Sequence, residues 1–184
     1  MDSASKANQS RLNMITGIEL IHNSVSKDSR GSFQRIYSQS ASPTLSKLKF
    51  VQTSVSINKL IGTVRGIHYQ KFPSVEWKYV TCLKGSIFDV LVDVRSNSPT
   101  YGEHNTFELT SESGLSVLIP PGVAHGYQCL TDEVFVHYQM TDVFNDELSQ
   151  RLLWNDPNLG INWPMKPSEI SALDLAAQPW PVKY

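Results

Sequence analysis

The chain has little net charge, few cysteines and no long apolar run, and each shortage excludes a class of protein. Its 184 residues carry 16 Lys and Arg against 17 Asp and Glu, which leaves no basic surplus to bind a nucleic-acid backbone. Cys82 and Cys129 lack the neighbouring Cys or His residues of a zinc site or a disulfide framework. No segment has the roughly 18 consecutive apolar residues of a membrane helix, and the N-terminus has no secretory signal. We therefore expect a cytoplasmic protein that binds neither nucleic acid nor membrane.

The residues that are present predict an all-β domain. Residues 1–13 are polar and lack periodicity, which predicts a flexible N-terminal arm, and 14–184 have the length of a single domain. Short runs rich in Val, Ile, Thr, Phe and Tyr alternate with turn residues, as in an antiparallel sandwich. The predicted strands are 17–23, 33–38, 50–58, 64–70, 78–82, 86–94, 104–109, 116–119, 126–130 and 134–140. Few helices are expected, mainly near the C-terminus, where 167–174 indicates a turn led by Pro and Ser and followed by one or two helical turns.

One predicted strand has the clearest core pattern. Phe88, Val90, Val92 and Val94 occupy the same face, which predicts that this face lines the interior of the sandwich. Leu91 makes the opposite face apolar as well. That second face is expected to be buried against another subunit.

One turn has a recognisable spacing, Gly114-x5-Pro120-x-Gly122-x2-His125. It matches the second signature of cupins, in which a turn directs a histidine into the mouth of a β-barrel. Metal-binding cupins also supply a His-x-His pair, because a metal needs three or four converging ligands. The corresponding segment here is 68–70, with the sequence His-Tyr-Gln. We therefore predict no metal, and acid–base or binding roles for His68 and His125.

Eight motifs in order cover the chain from about Ile15 to Pro179. They are Asp28-x-Arg30-Gly31-x-Phe33, Arg65-Gly66-Ile67-His68-Tyr69-Gln70, Lys78-x-Val80, Asp89-Val90-x-Val92-Asp93-x-Arg95, Ser98-Pro99-Thr100-Tyr101-Gly102, Ile119-Pro120-x-Gly122-x-Ala124-His125-Gly126, Trp154-Asn155-Asp156-Pro157 and Ile161-x-Trp163-Pro164. In these motifs the chain resembles the dTDP-4-dehydrorhamnose 3,5-epimerase family, nucleotide-sugar epimerases with a cupin-type jelly-roll fold. The resemblance implies a homodimeric isomerase without cofactor. Its substrate would be a nucleotide-linked 4-keto-6-deoxy sugar, inverted at C3, C5 or both in deoxysugar and polysaccharide biosynthesis.

The resemblance also implies a role for each matching residue. For proton transfer it implies His68 as base, Asp174 as its carboxylate partner, Tyr138 as acid on the opposite face of the sugar and Lys78 beside the enolate. For substrate binding it implies Gln52, with Arg65 and His125 at the diphosphate and Arg30, Phe33 and Phe144 around the nucleoside. Epimerisation needs these residue types, because it removes a proton next to a ketone, holds an enolate and returns a proton to the other face. Histidine accepts a proton at neutral pH, and tyrosine stays protonated there.

Arg65 and His68 present a geometric problem. Their positions differ in parity, so a regular strand would direct them to opposite faces. The family resemblance nevertheless implies that both side chains line one substrate pocket. A β-bulge at Gly66 would re-aim one side chain at little cost, so we predict a break in the pleat there.

Several alternatives are open at this point. Asp156 is a rival partner for His68, although an Asp-Pro pair more often forms a turn. A cupin ketoisomerase would use a different histidine arrangement, and a sugar-binding cupin without activity would not need a His–Asp proton shuttle. The chain departs from the family pattern at three places, all at positions of substrate recognition: Arg35, Thr53-Ser54 and Leu173. Arg35 replaces an acid, which predicts that selectivity for thymine is weaker or is replaced by selectivity for another base.

Overall fold

Two facing five-stranded antiparallel sheets form the body of the protein in the computed structural model, which describes residues 14–181. The strands are β1 (Glu19–His22), β2 (Val25–Asp28), β3 (Gly31–Gln34), β4 (Gln52–Asn58), β5 (Val64–Gln70), β6 (Lys78–Lys84), β7 (Ser86–Asp93), β8 (His104–Thr110), β9 (Leu115–Ile119), β10 (Val123–Cys129), β11 (Val134–Met140) and β12 (Ser149–Arg151). One sheet has the order β1-β9-β6-β11-β4, the other has the order β12-β5-β10-β7-β8, and β2 and β3 form a separate hairpin. The helical elements are α1 (Ala172–Leu175) and two 3-10 turns, Gln39–Ala41 and Leu45–Lys47. The predicted all-β antiparallel sandwich is confirmed.

The structure corrects several predicted boundaries. The predicted strand 33–38 is wrong beyond Gln34, where β3 ends, and the last bond of the β2–β3 hairpin is donated by the Arg35 N–H to the Ser24 carbonyl at 3.1 Å. The chain then crosses the outer side of the first sheet. β2 and β12 are absent from the predicted strands because both are short and carry little apolar side chain. The helix expected in 167–174 is a single turn, α1, and the predicted arm 1–13 lies outside the described residues.

The core between the two sheets contains the face of β7 opposite to the predicted one. Ile87 and Leu91 lie there, packed with Val80, Val117 and Val136 of the other sheet. The prediction that the alternating Phe and Val residues of β7 line the sandwich interior is therefore wrong. Both faces of β7 carry apolar residues, although Asp89 and Asp93 share the face of Ile87 and Leu91, and alternation alone does not indicate which face meets the second sheet.

The other face of β7 is covered by the C-terminal part of the same chain. Val90 and Val92 are fully buried in a cluster with Leu152. Trp163 packs edge-on against Phe88, with ring centroids 6.0 Å apart. The expectation that the second apolar face of this strand needs another subunit is therefore wrong, since one chain covers both faces.

A buried aspartate fixes the loop that follows β7. The Asp93 side chain has no exposed surface. It accepts hydrogen bonds from Nε and Nη2 of Arg95 at 2.8 Å each, from Ser98 Oγ at 2.5 Å and from Thr100 Oγ1 at 2.6 Å. Burial alone would raise the pKa of Asp93, but these hydrogen bonds outweigh burial and lower the pKa to about 2. Asp93 therefore contributes to the free energy of unfolding above about pH 4, near its pKa in the unfolded chain, and this contribution is lost as the pH falls toward 2.

Replacing Asp93 with asparagine should lower the free energy of unfolding at pH 7 by about 2 kcal/mol. A neutral amide accepts fewer hydrogen bonds from the same four donors and does not balance the Arg95 charge. Urea titrations at pH 7, 4 and 3 measure the effect, and the difference between variant and wild type should shrink below pH 4. Asp28→Asn, at an exposed carboxylate of the hairpin, is the matched control and should stay close to wild type. Equal stability of Asp93→Asn and wild type at pH 7 would contradict this interpretation.

Candidate active site

A cavity of about 760 Å³ opens between the two sheets. Its walls come from β4, β5, β6, β10, β11 and β12, from Phe144 after β11, and from α1 with the segment that leads into it. Seven of the predicted site residues line it: Arg65, His68, Lys78, His125, Tyr138, Phe144 and Asp174. Gln52 lies beside them, because its side-chain oxygen accepts from the Phe144 N–H at 3.1 Å. Because most of the predicted residues meet here, this cavity is the candidate active site.

Gly66 allows Arg65 and His68 to line the same cavity. In the pairing of β5 with β10, His68 lies opposite His125. Arg65, three positions before His68, lies opposite Tyr127, which is only two positions after His125. The predicted β-bulge is thereby confirmed. Gly66 has a φ of 107°, and a Cβ there would lie 2.7 Å from the His125 carbonyl oxygen, so only glycine fits.

His68 and Asp174 form a hydrogen-bonded pair. Nε2 of His68 lies 2.5 Å from Oδ1 of Asp174. The segment that carries Asp174 is held at β5, because the Val64 N–H donates to the Glu169 carbonyl at 2.9 Å. The Ser171 hydroxyl then accepts from the Asp174 N–H at 3.1 Å and caps α1. Burial alone would raise the pKa of Asp174, but the hydrogen bond and charge of His68 outweigh burial and lower it, so the carboxylate stays ionised.

Tyr138 enters the cavity from the wall that faces His68. It belongs to β11 in one sheet, whereas His68 belongs to β5 in the other. Burial raises the pKa of Tyr138 well above its usual value, and the neighbouring Tyr127 hydroxyl adds to the rise. The Tyr127 hydroxyl also donates to Ser56 Oγ at 3.0 Å and accepts from Asn58 Nδ2 at 3.1 Å. Tyr138 therefore keeps its proton at neutral pH and can act as a proton donor.

Lys78 places a positive charge between these walls. It lies on β6, and β6 pairs with the strand of Tyr138. Its Nζ lies 3.4 Å from the carbonyl oxygen of His68 and 3.2 Å from a carboxylate oxygen of Glu76. The side chain is 16% exposed, so the ammonium is held in place beside His68 rather than extended into solvent.

Comparison with known proteins decides between the open alternatives. A family model described as dTDP-4-dehydrorhamnose 3,5-epimerase matches residues 13–181. The chain belongs to this family. The dTDP-4-dehydrorhamnose 3,5-epimerase of Sinorhizobium fredii is 36% identical over 166 residues, which cover 90% of this chain and 85% of that relative. The chain is thus an isomerase of the epimerase type.

Solved structures agree with this assignment. The crystal structure of the Bacillus anthracis dTDP-4-dehydrorhamnose 3,5-epimerase with TDP and PPi bound superposes with a TM-score of 0.85 at 32% identity, over 90% of this chain and 95% of that chain. A Legionella pneumophila 3,5-epimerase in complex with dTDP-4-keto-L-rhamnose superposes with a TM-score of 0.84 at 32% identity, over 91% and 89% of the two chains. The predicted family and fold are both confirmed.

Two predicted nucleoside-binding residues of the epimerase lie away from the cavity. Arg30 and Phe33 belong to the β2–β3 hairpin, which lines a separate cavity of about 400 Å³. Phe33 is 73% exposed, and Arg30 Nη2 lies 2.6 Å from Asp28 Oδ2. One chain therefore does not bring these two residues together with Phe144.

Sequence reasoning missed the carboxylate partner of His125. Nε2 of His125 lies 2.6 Å from Oδ1 of Asp89, and neither side chain is more than 5% exposed. The His125 ring also meets Tyr138 edge-on, with centroids 5.9 Å apart. A signal was present, because an aspartate within the apolar strand β7 needs a partner when it is buried. Arg65, the other predicted diphosphate contact, donates from Nε to Asn58 Oδ1 at 2.6 Å.

The rival carboxylate and the departing positions have other surroundings. Asp156 accepts hydrogen bonds from the N–H groups of Asn158 and Trp180, so it caps a turn and is not the partner of His68. Thr53 bonds His137 at 2.9 Å, whereas Ser54 lines the cavity. Arg35 and Leu173 are exposed and do not line it. Of these departing positions, Ser54 therefore lies at the cavity, whereas Arg35 and Leu173 lie away from it.

Within 14–181, no three His, Cys, Asp or Glu side chains converge as metal ligands, and no helix there is long and apolar enough to cross a membrane. Cys82 and Cys129 are both free and buried. Burial raises their pKa values to about 12 and about 11, so both remain thiols at neutral pH.

Proposed function

We propose that this epimerase inverts C3, C5 or both carbons of a dTDP-linked 4-keto-6-deoxy sugar, for deoxysugar and surface-polysaccharide biosynthesis. The observation that carries the proposal is the His68–Asp174 pair on one wall of the cavity, with Tyr138 on the facing wall. The Legionella relative was solved with dTDP-4-keto-L-rhamnose, which supports the same substrate class here.

Proton transfer between the two walls accounts for inversion. His68 removes a proton from a carbon next to the ketone, and Asp174 favours the imidazolium that forms. The electron pair of the broken C–H bond moves onto the ketone oxygen as an enolate, which the Lys78 ammonium stabilises. Tyr138 then donates its proton to the same carbon from the opposite face. Solvent exchange returns His68 and Tyr138 to their starting protonation states.

Substrate binding uses the remaining predicted residues. We infer that Arg65 and His125 contact the diphosphate, because both line the cavity and arginine pairs well with phosphate oxygens. Gln52 holds the backbone of Phe144, and the 56%-exposed Phe144 ring is available to stack on a base.

We also propose that the protein is a cytoplasmic homodimer. Val55 and Ile57 on β4 are 50% and 60% exposed, which is typical of a strand face that meets a second copy. In a dimer, Arg30 and Phe33 could contribute to the cavity of the partner subunit, since their hairpin does not reach the cavity of its own chain. The free cysteines fit a reducing compartment. A monomer in sedimentation at micromolar concentration would contradict the dimer.

Turnover in D2O tests the proposed activity. Purified protein is incubated with dTDP-4-keto-6-deoxyglucose in D2O and followed by NMR, with a protein-free sample as control for spontaneous exchange. We expect deuterium at C3, C5 or both, together with inversion at the exchanged carbon. A product with the carbonyl moved along the ring would indicate a ketoisomerase, and binding without exchange would indicate a sugar-binding protein. Either result would overturn the proposal.

A further inference from the structure

Arg151 lies beside the His68–Asp174 pair, and the proposed mechanism assigns it no role. It belongs to β12 at the sheet edge, where its Cα pairs with that of His68. Its Nε lies 3.6 Å from Oδ1 of Asp174, the oxygen that His68 also contacts. This Nε is buried and has no hydrogen-bond partner. The Arg151 side chain as a whole lines the cavity and is 30% exposed.

The position of Arg151 affects the charge of His68. The guanidinium stays protonated at any pH at which the protein is folded. Asp174 attracts a proton to the His68 imidazole, whereas a permanent positive charge 3.6 Å from the same carboxylate oxygen opposes protonation of the imidazole. Arg151 therefore acts against Asp174 in setting how easily His68 becomes charged.

Three other basic side chains around His68 have partners that they do not share with it. The charged or titratable groups that line the same cavity, apart from Asp174, are Arg65, Lys78, His125, Tyr127, Tyr138 and Glu169. Lys78 is paired with Glu76, and His125 with Asp89. Arg65 is bonded to the Asn58 amide, a neutral group. Arg151 differs from Arg65 and Lys78 because it shares its carboxylate with His68.

We propose that Arg151 is a positioning residue that keeps His68 unprotonated, and so active as a base, at lower pH than the His68–Asp174 pair alone would allow. The proposal rests on the proposed role of His68. Arg151 acts through Asp174 and the local field, and it makes no bond to the reacting carbon.

The pH profile of Arg151→Gln tests this role. The acidic limb of kcat/KM reports the essential base of the free enzyme. Loss of the positive charge should move this limb to higher pH by roughly 0.5–1 unit, so that kcat/KM on the limb falls about 3–10-fold. Well above the limb, KM should stay within about threefold of wild type, as for a residue that does not bind substrate. Arg151→Lys keeps the positive charge, so its acidic limb of kcat/KM should lie close to the wild-type pH.

A charge-matched control is available far from the cavity. Lys84 forms an exposed pair with Glu133 at 2.7 Å and does not line the cavity. Lys84→Gln removes the same charge from the molecule and should leave the limb in place, because exposed distant charges are screened. If Arg151→Gln does not fold, Arg151→Met keeps the aliphatic stem and gives the same comparison.

An NMR titration gives a readout without turnover. The His68 ring signal, assigned by its loss in His68→Asn, is followed against pH in wild type and Arg151→Gln without substrate. The midpoint should rise in the variant by the same amount as the limb. An unchanged midpoint would overturn the proposal, and so would a raised KM with an unchanged limb, which would make Arg151 a substrate contact. Failure of wild type to epimerise would instead refute the proposed function, and the titration would still test the arginine.

Discussion

Replacing His68 with asparagine is expected to lower kcat by about 10²–10⁴-fold, the usual contribution of a positioned general base. Asparagine has no basic nitrogen, so it cannot accept the proton, and its shorter side chain does not reach the Nε2 position that contacts Asp174. KM should change much less, because the proton moves only in the transition state. Initial rates of epimerisation with the dTDP-linked 4-keto sugar measure both constants, and deuterium exchange at the reacting carbon should fall with kcat.

A second histidine provides the matched control for this substitution. His137 lies next to Tyr138 on β11 but bonds Thr53 and does not line the cavity. His137→Asn makes the same chemical change and should keep near wild-type rates. If His68→Asn retained a tenth or more of the wild-type kcat, His68 would not be the base.

Replacing Tyr138 with phenylalanine is expected to separate exchange from inversion. His68 can still form the enolate and return a deuteron from its own side, so deuterium should enter with retained configuration. Inversion should slow by about 10²-fold or more, because no acid remains on the opposite face. NMR of the products from D2O measures exchange and configuration in one sample.

The raised pKa of Tyr138 also predicts how the rate depends on pH. Burial raises that pKa well above its usual value, so the wild-type rate should show no alkaline loss from Tyr138 near neutral pH. Tyr79→Phe is the matched control, because Tyr79 is a buried tyrosine of the same sheet whose hydroxyl bonds Asn23 outside the cavity. Full inversion by Tyr138→Phe at the wild-type rate would show that another group is the acid.

Local signals in the sequence were sufficient for most of the strands, though not for β2 and β12, and for one unusual backbone feature. Alternation of apolar residues indicates a strand wherever it occurs, because side chains of a strand point to opposite faces in turn. The same rule showed that Arg65 and His68 could share a pocket only through an irregularity, and Gly66 marked its place. The ordered motifs indicated the family, and the resemblance implied that His68 meets Asp174, a contact that is present. The roles of these residues in catalysis stay predictions.

Contacts between distant segments account for what the sequence left open. Alternation in β7 defined two apolar faces, but the fold of the C-terminal segment determined that Val90 and Val92 lie outside the sandwich. The hairpin with Phe33 and the edge strand with Arg151 were placed in the same way, by pairing and packing that no short pattern encodes. Periodicity describes how one strand repeats and says nothing about which remote segment covers it. For that reason the residues next to His68 became apparent only when both sheets and the C-terminal segment were assembled.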